Sequence, residues 1–509
     1  MRKFVIFFLI VYLVTSCNVC VNEDTQDFIE TPIIKEETVT KTLTGTLGKT
    51  LYLVKMNPTS KMVPAAASGY VYSNENLDIL NDNDFTYENE SRFVRKDNSI
   101  ALELYSKQVN SSRSVRSFNE VEYNVNDERK FWIMKKEALH IQNIEWEEIP
   151  AKLRAKGEFC YIWVPDEYWG EHYNSVSEEI VTKLKEKFDS IYPRVTNVFG
   201  YPDSVENLRI HILIFDIYSD LKSGQVFGYF MPKDYGFYEE TYRSNECCMF
   251  YLDAFLTRKL PNMAYSTLAH EFQHMINYYN KTFRASNTEG TQEGTQTWFT
   301  EMLSMLCEDM LQTFLGIKEE DSPIARMEYF NSGYYSHGIT EWQNNQISYA
   351  YTYAFGAYLV RNFGGIKLLE AIAKNKQTNK SAIEKALKEL GYDETFDSVF
   401  LKFSQALIYE DSNKLTFNKN ITEKLNGYEY AFNAFNIWEK KNGTYTNLGF
   451  MKIPNYGPIC FSVSDTKSIR PYGFTIHTQD SWQKITTDTL TINLIRPEGS
   501  SIDYQFILK

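Results

Sequence analysis

The stretch "TLAHEFQHMINYY", residues 267–279, places His270 and His274 four positions apart, with Glu271 directly after the first histidine. An α-helix completes one turn in about 3.6 residues, so side chains four apart lie on one face. Two imidazoles on one face can bind the same metal ion, and Glu271 can reach a water molecule on that ion. The alternative is a surface helix that carries two histidines by coincidence. A third ligand elsewhere in the chain would decide between these interpretations.

The segment "WFTEMLSMLCED", residues 298–309, contains a candidate for that third ligand. Glu301 follows His274 by 27 residues, which is enough for the chain to cross the loop "SNTEGTQEGTQ" and return as a second helix. Glu308 lies about two turns after Glu301 and is a candidate to accept a hydrogen bond from a ligating histidine. A solvated acidic face is the alternative. The apolar neighbours of both glutamates favour a buried helix, where an unpaired carboxylate would be costly.

Three motifs occur in a specific order along the chain: H-E-x-x-H, then W-x-x-E-x6-E, then Y-x-x-G-A within "YAFGAYLVRNFGG". This order resembles the gluzincin zinc metallopeptidases, which include the aminopeptidase N family and thermolysin's wider clan. The stretches "HEFQHMIN" and "WFTEMLS" are most similar to the hyicolysin-type peptidases, several of which are bacterial lipoproteins. The resemblance covers about residues 160–410. It implies an α+β fold with a thermolysin-like catalytic domain, built from a mixed sheet and a helical subdomain.

The resemblance also implies a role for each matching residue. It assigns one catalytic zinc ion to three ligands: His270, His274 and Glu301. Glu271 matches the general base, and Glu308 matches the acid that holds a ligating histidine. Tyr353 matches the tyrosine that donates a hydrogen bond to the oxyanion of the tetrahedral intermediate, with His337 as a rival donor. A structural Ca²⁺ ion cannot be assigned to particular residues.

Two departures from the family pattern bear on the activity. Many relatives have Asn-Glu-Gly at the third ligand, where this chain has Thr300-Glu301-Met302. The Gly-x-Met-Glu-Asn motif that binds a free amine in aminopeptidases is absent, and the run "NECCMFYLDAF", residues 245–255, is instead a candidate edge strand that takes an extended peptide by β-addition. An endopeptidase is therefore favoured. The alternatives are an aminopeptidase of the same clan and a catalytically inactive surface binding lipoprotein.

The N-terminus predicts export. Residues 1–16 combine a short basic region with an apolar run, which is typical of a signal peptide. Cys17 follows the small residue Ser16 and resembles the lipidated cysteine of bacterial lipoproteins, although a plain secretory signal is an alternative. We expect residues 17–39 to form a lipidated tether. The predicted location is a bacterial membrane, at the cell surface or in the periplasm.

Charge and cysteine content limit the partners and the class of protein. The formal net charge of −13 would repel phosphate backbones, so a nucleic-acid partner is not expected. The expected partners are a protein or peptide substrate and a membrane reached through the lipid anchor, and the expected state is a monomer. The seven cysteines show no zinc-finger pattern, and six of them could pair as disulfides if Cys17 is acylated.

Hydrophobic periodicity divides the chain into three predicted domains. Alternating runs over 40–150 predict an N-terminal β domain, and short aromatic and β-branched runs over 415–509 predict a C-terminal one. The peptidase domain is predicted at 155–412. Its helices are expected at 263–281, 297–313 and 349–362.

Two strands and one helix are expected to open the peptidase domain. The strands are predicted in "EFCYIWVPDEYW" and "NLRIHILIFDIY". Ser177 is predicted to cap the helix that lies between them. We interpret His211, on the second strand, as a structural histidine.

Overall fold

The computed structural model describes most of the chain after residue 34: 35–72, 121–134, 145–203, 208–217, 226–235, 243–283, 294–439, 447–448, 451–452, 457–478 and 484–509. The predicted signal peptide, Cys17 and most of the predicted tether lie outside the described residues. Every element below belongs to one compact unit, Glu36–Lys509.

Strands occur near both ends of the described chain and in its first half. In chain order they are β1 (Glu36–Thr44), β2 (Leu51–Met56), β3 (Tyr70–Tyr72), β4 (Glu128–Met134), β5 (Trp146–Lys156), β6 (Cys160–Val164), β7 (Ile210–Phe215), β8 (Gly228–Phe230), β9 (Met249–Asp253), β10 (Ile421–Leu425), β11 (Tyr428–Phe432), β12 (Asn447–Leu448), β13 (Met451–Lys452), β14 (Phe461–Ser462), β15 (Phe474–Thr478), β16 (Thr489–Pro497) and β17 (Asp503–Leu508).

Helices dominate the middle of the chain. In chain order the α-helices of the described residues are α1 (Glu178–Phe199), α2 (Ala254–Lys259), α3 (Pro261–Asn277), α4 (Thr297–Leu315), α5 (Met327–Gly333), α6 (Gln346–Asn362), α7 (Gly365–Lys374), α8 (Asn379–Glu389) and α9 (Phe396–Ile408). The helices predicted at 263–281, 297–313 and 349–362 are confirmed as α3, α4 and α6. The end of the first prediction falls in a π-helical segment, Tyr278–Phe283.

A mixed six-stranded sheet has the strand order β4-β5-β6-β7-β9-β8. Strands β6, β7 and β9 are parallel to one another, and β4, β5 and β8 each run antiparallel to a neighbour. Strands β6 and β7 are fully buried, as their continuous apolar sequences predict for strands with both faces covered. The side chain of Ser177 accepts a hydrogen bond from the backbone N–H of Ile180, which confirms the predicted cap of α1.

The two ends of the described chain form sheets together. Strand β1 pairs antiparallel with β16, and β2 lies between β15 and β17, antiparallel to both. Strands β4 and β5, by contrast, join the six-stranded sheet. The strands predicted as one N-terminal domain at 40–150 are therefore divided between different sheets. Alternating sequence patterns predict that a strand forms, but they do not specify its partner.

The prediction that 245–255 forms an edge strand is wrong. Strand β9, within that run, is bonded to β7 on one side and to β8 on the other. Strand β8 is the edge of the sheet. The residues of β9 are mostly apolar and all buried, which is the pattern of a strand with both faces covered.

The described cysteines are free thiols: Cys160, Cys247, Cys248, Cys307 and Cys460. None of these five forms one of the disulfides that the sequence allowed, and Cys17 and Cys20 lie outside the described residues. Burial raises the pKa of the Cys160, Cys248 and Cys307 thiols well above its usual value. Protonated, enclosed thiols of this kind react slowly with oxidants.

His211 on β7 is a structural histidine, as interpreted. The indole N–H of Trp163 donates to its Nδ1 at 3.0 Å, and burial lowers the pKa of His211 well below its usual value. Within the described residues, none of the helices is long and apolar enough to cross a bilayer.

Candidate metal centre

Helix α3 presents both histidines of the H-E-x-x-H motif to the protein interior. The helix begins with a proline at its first turn, where the missing N–H has no intrahelical partner to lose. His270, Glu271 and His274 are each at most 4% exposed. The two imidazole rings lie 4.6 Å apart, centroid to centroid. The four-residue spacing therefore places both rings on one face of the helix and close together, as the helical period predicts.

Helix α4 brings Glu301 against both rings. Its Oε2 lies 3.3 Å from Nε2 of His270, and its Oε1 lies 3.3 Å from Nε2 of His274. Two donors that are each ~2.0–2.1 Å from one tetrahedral ion are about 3.3 Å apart. The three side chains thus have the ligand types and the separations that zinc requires.

The polar atoms of this cluster also indicate a cation. Glu301 is fully buried, and neither of its carboxylate oxygens has a hydrogen-bond partner within the described residues. Nε2 of His274 is likewise without a partner there. A buried carboxylate without compensation costs several kcal/mol or more. A divalent cation among these atoms would compensate the charge, so the residues fit the metal that the sequence predicts.

Glu308 lies where it can hold His270. Its Oε1 is 2.6 Å from Nδ1 of His270, and its other oxygen accepts a hydrogen bond from the Ser266 hydroxyl. An ionised carboxylate can only accept, so Nδ1 of His270 carries the hydrogen in this contact. Nε2, the atom that faces Glu301, then keeps its lone pair for a metal.

His274 is held by different residues, which the sequence motifs did not identify. The hydroxyl of Ser304 lies 3.1 Å from Nδ1 of His274 and also contacts Oε1 of Gln273. Ser304 follows Glu301 by three residues and so lies on nearly the same face of α4. This three-residue spacing was the signal in the sequence that could have identified Ser304. The residue before Glu301 is Thr300, where many relatives have asparagine.

The hydroxyl of Tyr353 contacts a buried carboxylate of α4. It donates to Oδ2 of Asp309 at 3.0 Å, and Asp309 forms an ion pair with Arg361 at 2.9 Å. Burial and the carboxylate raise the pKa of Tyr353 well above its usual value. The role of oxyanion donor, which the resemblance implies, stays a prediction for Tyr353, whose hydroxyl is bonded to Asp309 in this structure.

The rival donor, His337, also has partners of its own. Its Nε2 lies 3.0 Å from Oδ1 of Asn345, and its Nδ1 lies 2.8 Å from the hydroxyl of Ser336. Burial lowers the pKa of His337, and the contact with Asn345 opposes that shift. Both nitrogens are thus used within the loop that carries the histidine.

The edge strand β8 lies directly against α3. A Cβ atom at Gly228 would lie 2.6 Å from the carbonyl oxygen of Tyr251 and 2.9 Å from Cγ2 of Thr267. Thr267 is one turn before His270. Glycine at position 228 therefore permits a close approach between the sheet edge and the helix that carries the histidines.

Comparison with known proteins agrees with this site. The family model described as peptidase M30 matches residues 155–420, just over half of the chain. The neutral metalloprotease ShpI of Staphylococcus hyicus is 29% identical over 286 residues, an alignment that covers 52% of this chain and 58% of that protein. The chain thus spans less than two thirds of this relative. With the buried histidines and glutamate inside the matched region, the chain belongs to the peptidase M30 family of hyicolysin-type metallopeptidases.

Proposed function

We propose that this protein is a zinc-dependent endopeptidase. The observation that carries the proposal is the buried cluster of His270, His274 and Glu301, whose carboxylate oxygens have no hydrogen-bond partner among the described residues. Membership of the peptidase M30 family supports it, as does the name of the similar protein, a neutral metalloprotease. We also propose the thermolysin-like arrangement for the catalytic unit, since a mixed sheet and helices surround the cluster.

Each residue of the site has a defined task in this proposal. The two histidines and Glu301 would hold zinc, which when bound polarises a peptide carbonyl and lowers the pKa of water. Glu271, buried and next to His270 in the sequence, would accept the proton of the attacking water and pass it to the leaving amine. Glu308 would keep His270 oriented through the contact at Nδ1.

A peptide substrate is proposed to lie along strand β8. Among the described strands β8 pairs only with β9, so its other edge would offer backbone N–H and C=O groups to an extended chain. Its close approach to α3 at Gly228 would bring such a chain beside the ligands. Because the amine-binding motif of aminopeptidases is absent from the sequence, the substrate needs no free N-terminus. This favours cleavage within a chain.

The test compares residues 17–509 with the variant Glu271→Gln. The expected result is one zinc ion per chain in both proteins and cleavage of casein and of an N-acetylated peptide by the parent alone. The change Glu328→Gln, in a buried glutamate of α5, is the matched control and should retain activity. Absence of zinc from the parent, or equal cleavage by the parent and Glu271→Gln, would overturn the proposal. Cleavage restricted to peptides with a free amine would instead identify an aminopeptidase.

We further propose that the protein is exported and anchored in a bacterial membrane through Cys17, as a monomer. The support is the predicted signal peptide and the cysteine that follows it. Changing Cys17→Ser should release the protein from the membrane fraction, whereas Cys20→Ser, three residues on, should not. Retention of the Cys17→Ser protein in membranes would contradict the anchor. Light scattering of the released protein would give its oligomeric state.

A further inference from the structure

Two buried side chains beside His274 have no part in the mechanism proposed above. Ser304 on α4 and Gln273 on α3 are both fully buried. The serine hydroxyl contacts Nδ1 of His274 and Oε1 of Gln273. His270 has a carboxylate, Glu308, in the corresponding place. The two histidines are therefore held by chemically different partners, and the neutral pair needs a separate explanation.

The single hydroxyl hydrogen of Ser304 determines which group donates in each of its two hydrogen bonds. A hydroxyl has one hydrogen to donate, and an amide oxygen can only accept. If that hydrogen goes to Oε1 of Gln273, the serine oxygen must accept the second bond, and Nδ1 of His274 must donate it. Nε2 of His274 then carries a lone pair. That atom faces Oε1 of Glu301 at 3.3 Å, on the side where a metal would lie.

If the side-chain amide of Gln273 were turned around, the effect on the tautomer of His274 would be the opposite. If Gln273 presented its NH₂ group, it would donate to Ser304, and the serine hydrogen would turn towards Nδ1 of His274. The imidazole hydrogen would then move to Nε2, which could no longer bind a metal. The oxygen of Gln273, not the serine alone, therefore decides which tautomer His274 adopts.

We propose that Gln273 and Ser304 act as positioning residues that hold His274 in its metal-binding tautomer and orientation. This inference rests on the proposed zinc site and deepens it. Partners of ligating histidines typically contribute about 10–100-fold to metal affinity.

The test measures zinc affinity of the zinc-free chain, residues 17–509, by competition with a chelator. Ser304→Ala should bind zinc about 10–100-fold more weakly. Gln273→Met, which removes the acceptor at similar volume, should weaken binding by a similar factor. Gln273→Glu, which can only accept when ionised, should bind at least as tightly as the parent. The control is Ser332→Ala, a buried serine whose hydroxyl donates within its own helix segment, to Tyr329 O at 3.0 Å, and it should bind normally.

A second measurement separates positioning from a general loss of structure. Side-chain ¹⁵N spectra of the zinc-free protein report the tautomer of each of the seven histidines. The parent and Gln273→Glu should show His274 with its hydrogen on Nδ1, and Gln273→Met should show it on Nε2. Parent-like affinity in Ser304→Ala, or equal affinity and tautomer in the Met and Glu variants, would overturn the inference. A parent that binds no zinc would overturn the proposed function instead.

Discussion

Replacing Tyr353 with phenylalanine is expected to destabilise the protein while leaving its catalytic rate nearly unchanged. The hydroxyl of this tyrosine donates to Asp309, and Arg361 donates to both oxygens of the same carboxylate, at 2.9 and 3.2 Å. Asp309 and Arg361 are fully buried. The tyrosine therefore completes a buried charged network between α4 and α6, which is a structural task.

The magnitude follows from what the substitution removes. One hydrogen bond to a charged group contributes about 1.5–3 kcal/mol, and Asp309 keeps its two bonds to Arg361, so no buried charge is left without a partner. We expect the free energy of unfolding to fall by that amount. The rate constant should change by less than about threefold, because an oxyanion donor would be worth roughly 100–1,000-fold in kcat.

Urea denaturation and peptide hydrolysis, both at a temperature where the variant is folded, check this expectation. The matched control is Tyr351→Phe on the same helix, whose hydroxyl donates to a neutral carbonyl, Tyr472 O, at 3.3 Å. It should lose only about 0.5–1.5 kcal/mol. A fall of 100-fold or more in kcat for Tyr353→Phe, at unchanged stability, would refute the structural assignment and restore the catalytic one.

Two further predictions concern buried charges. Glu301→Gln should abolish tight zinc binding. It should also raise the free energy of unfolding of the zinc-free protein by about 1–3 kcal/mol, measured by urea denaturation, because a neutral amide replaces a buried, uncompensated carboxylate. A less stable zinc-free variant would contradict this. Burial lowers the pKa of Lys55 from its ordinary value of 10.5 to about 7. Between pH 7 and pH 10.5 the amine is therefore protonated in the unfolded chain and neutral in the folded one. The free energy of unfolding of the parent, minus that of Lys55→Met, should therefore rise by about 1.4 kcal/mol per pH unit above pH 7. A difference that does not change with pH would be incompatible with a neutral buried amine.

The sequence predicted the cluster of candidate metal ligands because the spacing of the two histidines depends on short-range geometry. The spacing of His270 and His274 follows from the helical period, and the buried character of α4 could be inferred from its apolar residues. These features need no knowledge of the tertiary fold. The structure accordingly brings His270, His274 and Glu301 together.

Several features that depend on tertiary contacts could not be predicted from the sequence. Four tyrosines lie close together on α6, and periodicity cannot tell which hydroxyl reaches a given neighbour. The role of Tyr353 came from the family resemblance, and the contact of its hydroxyl with Asp309 could not be foreseen from the sequence. Ser304 was missed because a serine in an apolar helix has many possible acceptors. Strand β9 was taken for an edge because its sequence does not identify the strands beside it.

The position of β2 between β15 and β17 determines when this part of the molecule can fold. The Thr478 hydroxyl donates to the carbonyl of Leu51 across 427 residues of sequence. At roughly 5–20 residues per second, synthesis of that interval takes on the order of a minute. During this time β2, which is buried along its whole length, lacks both strands that flank it in the final sheet. The strands of the six-stranded sheet all end by Asp253, so the sheet that joins the two ends is expected to be the slow, late step of folding.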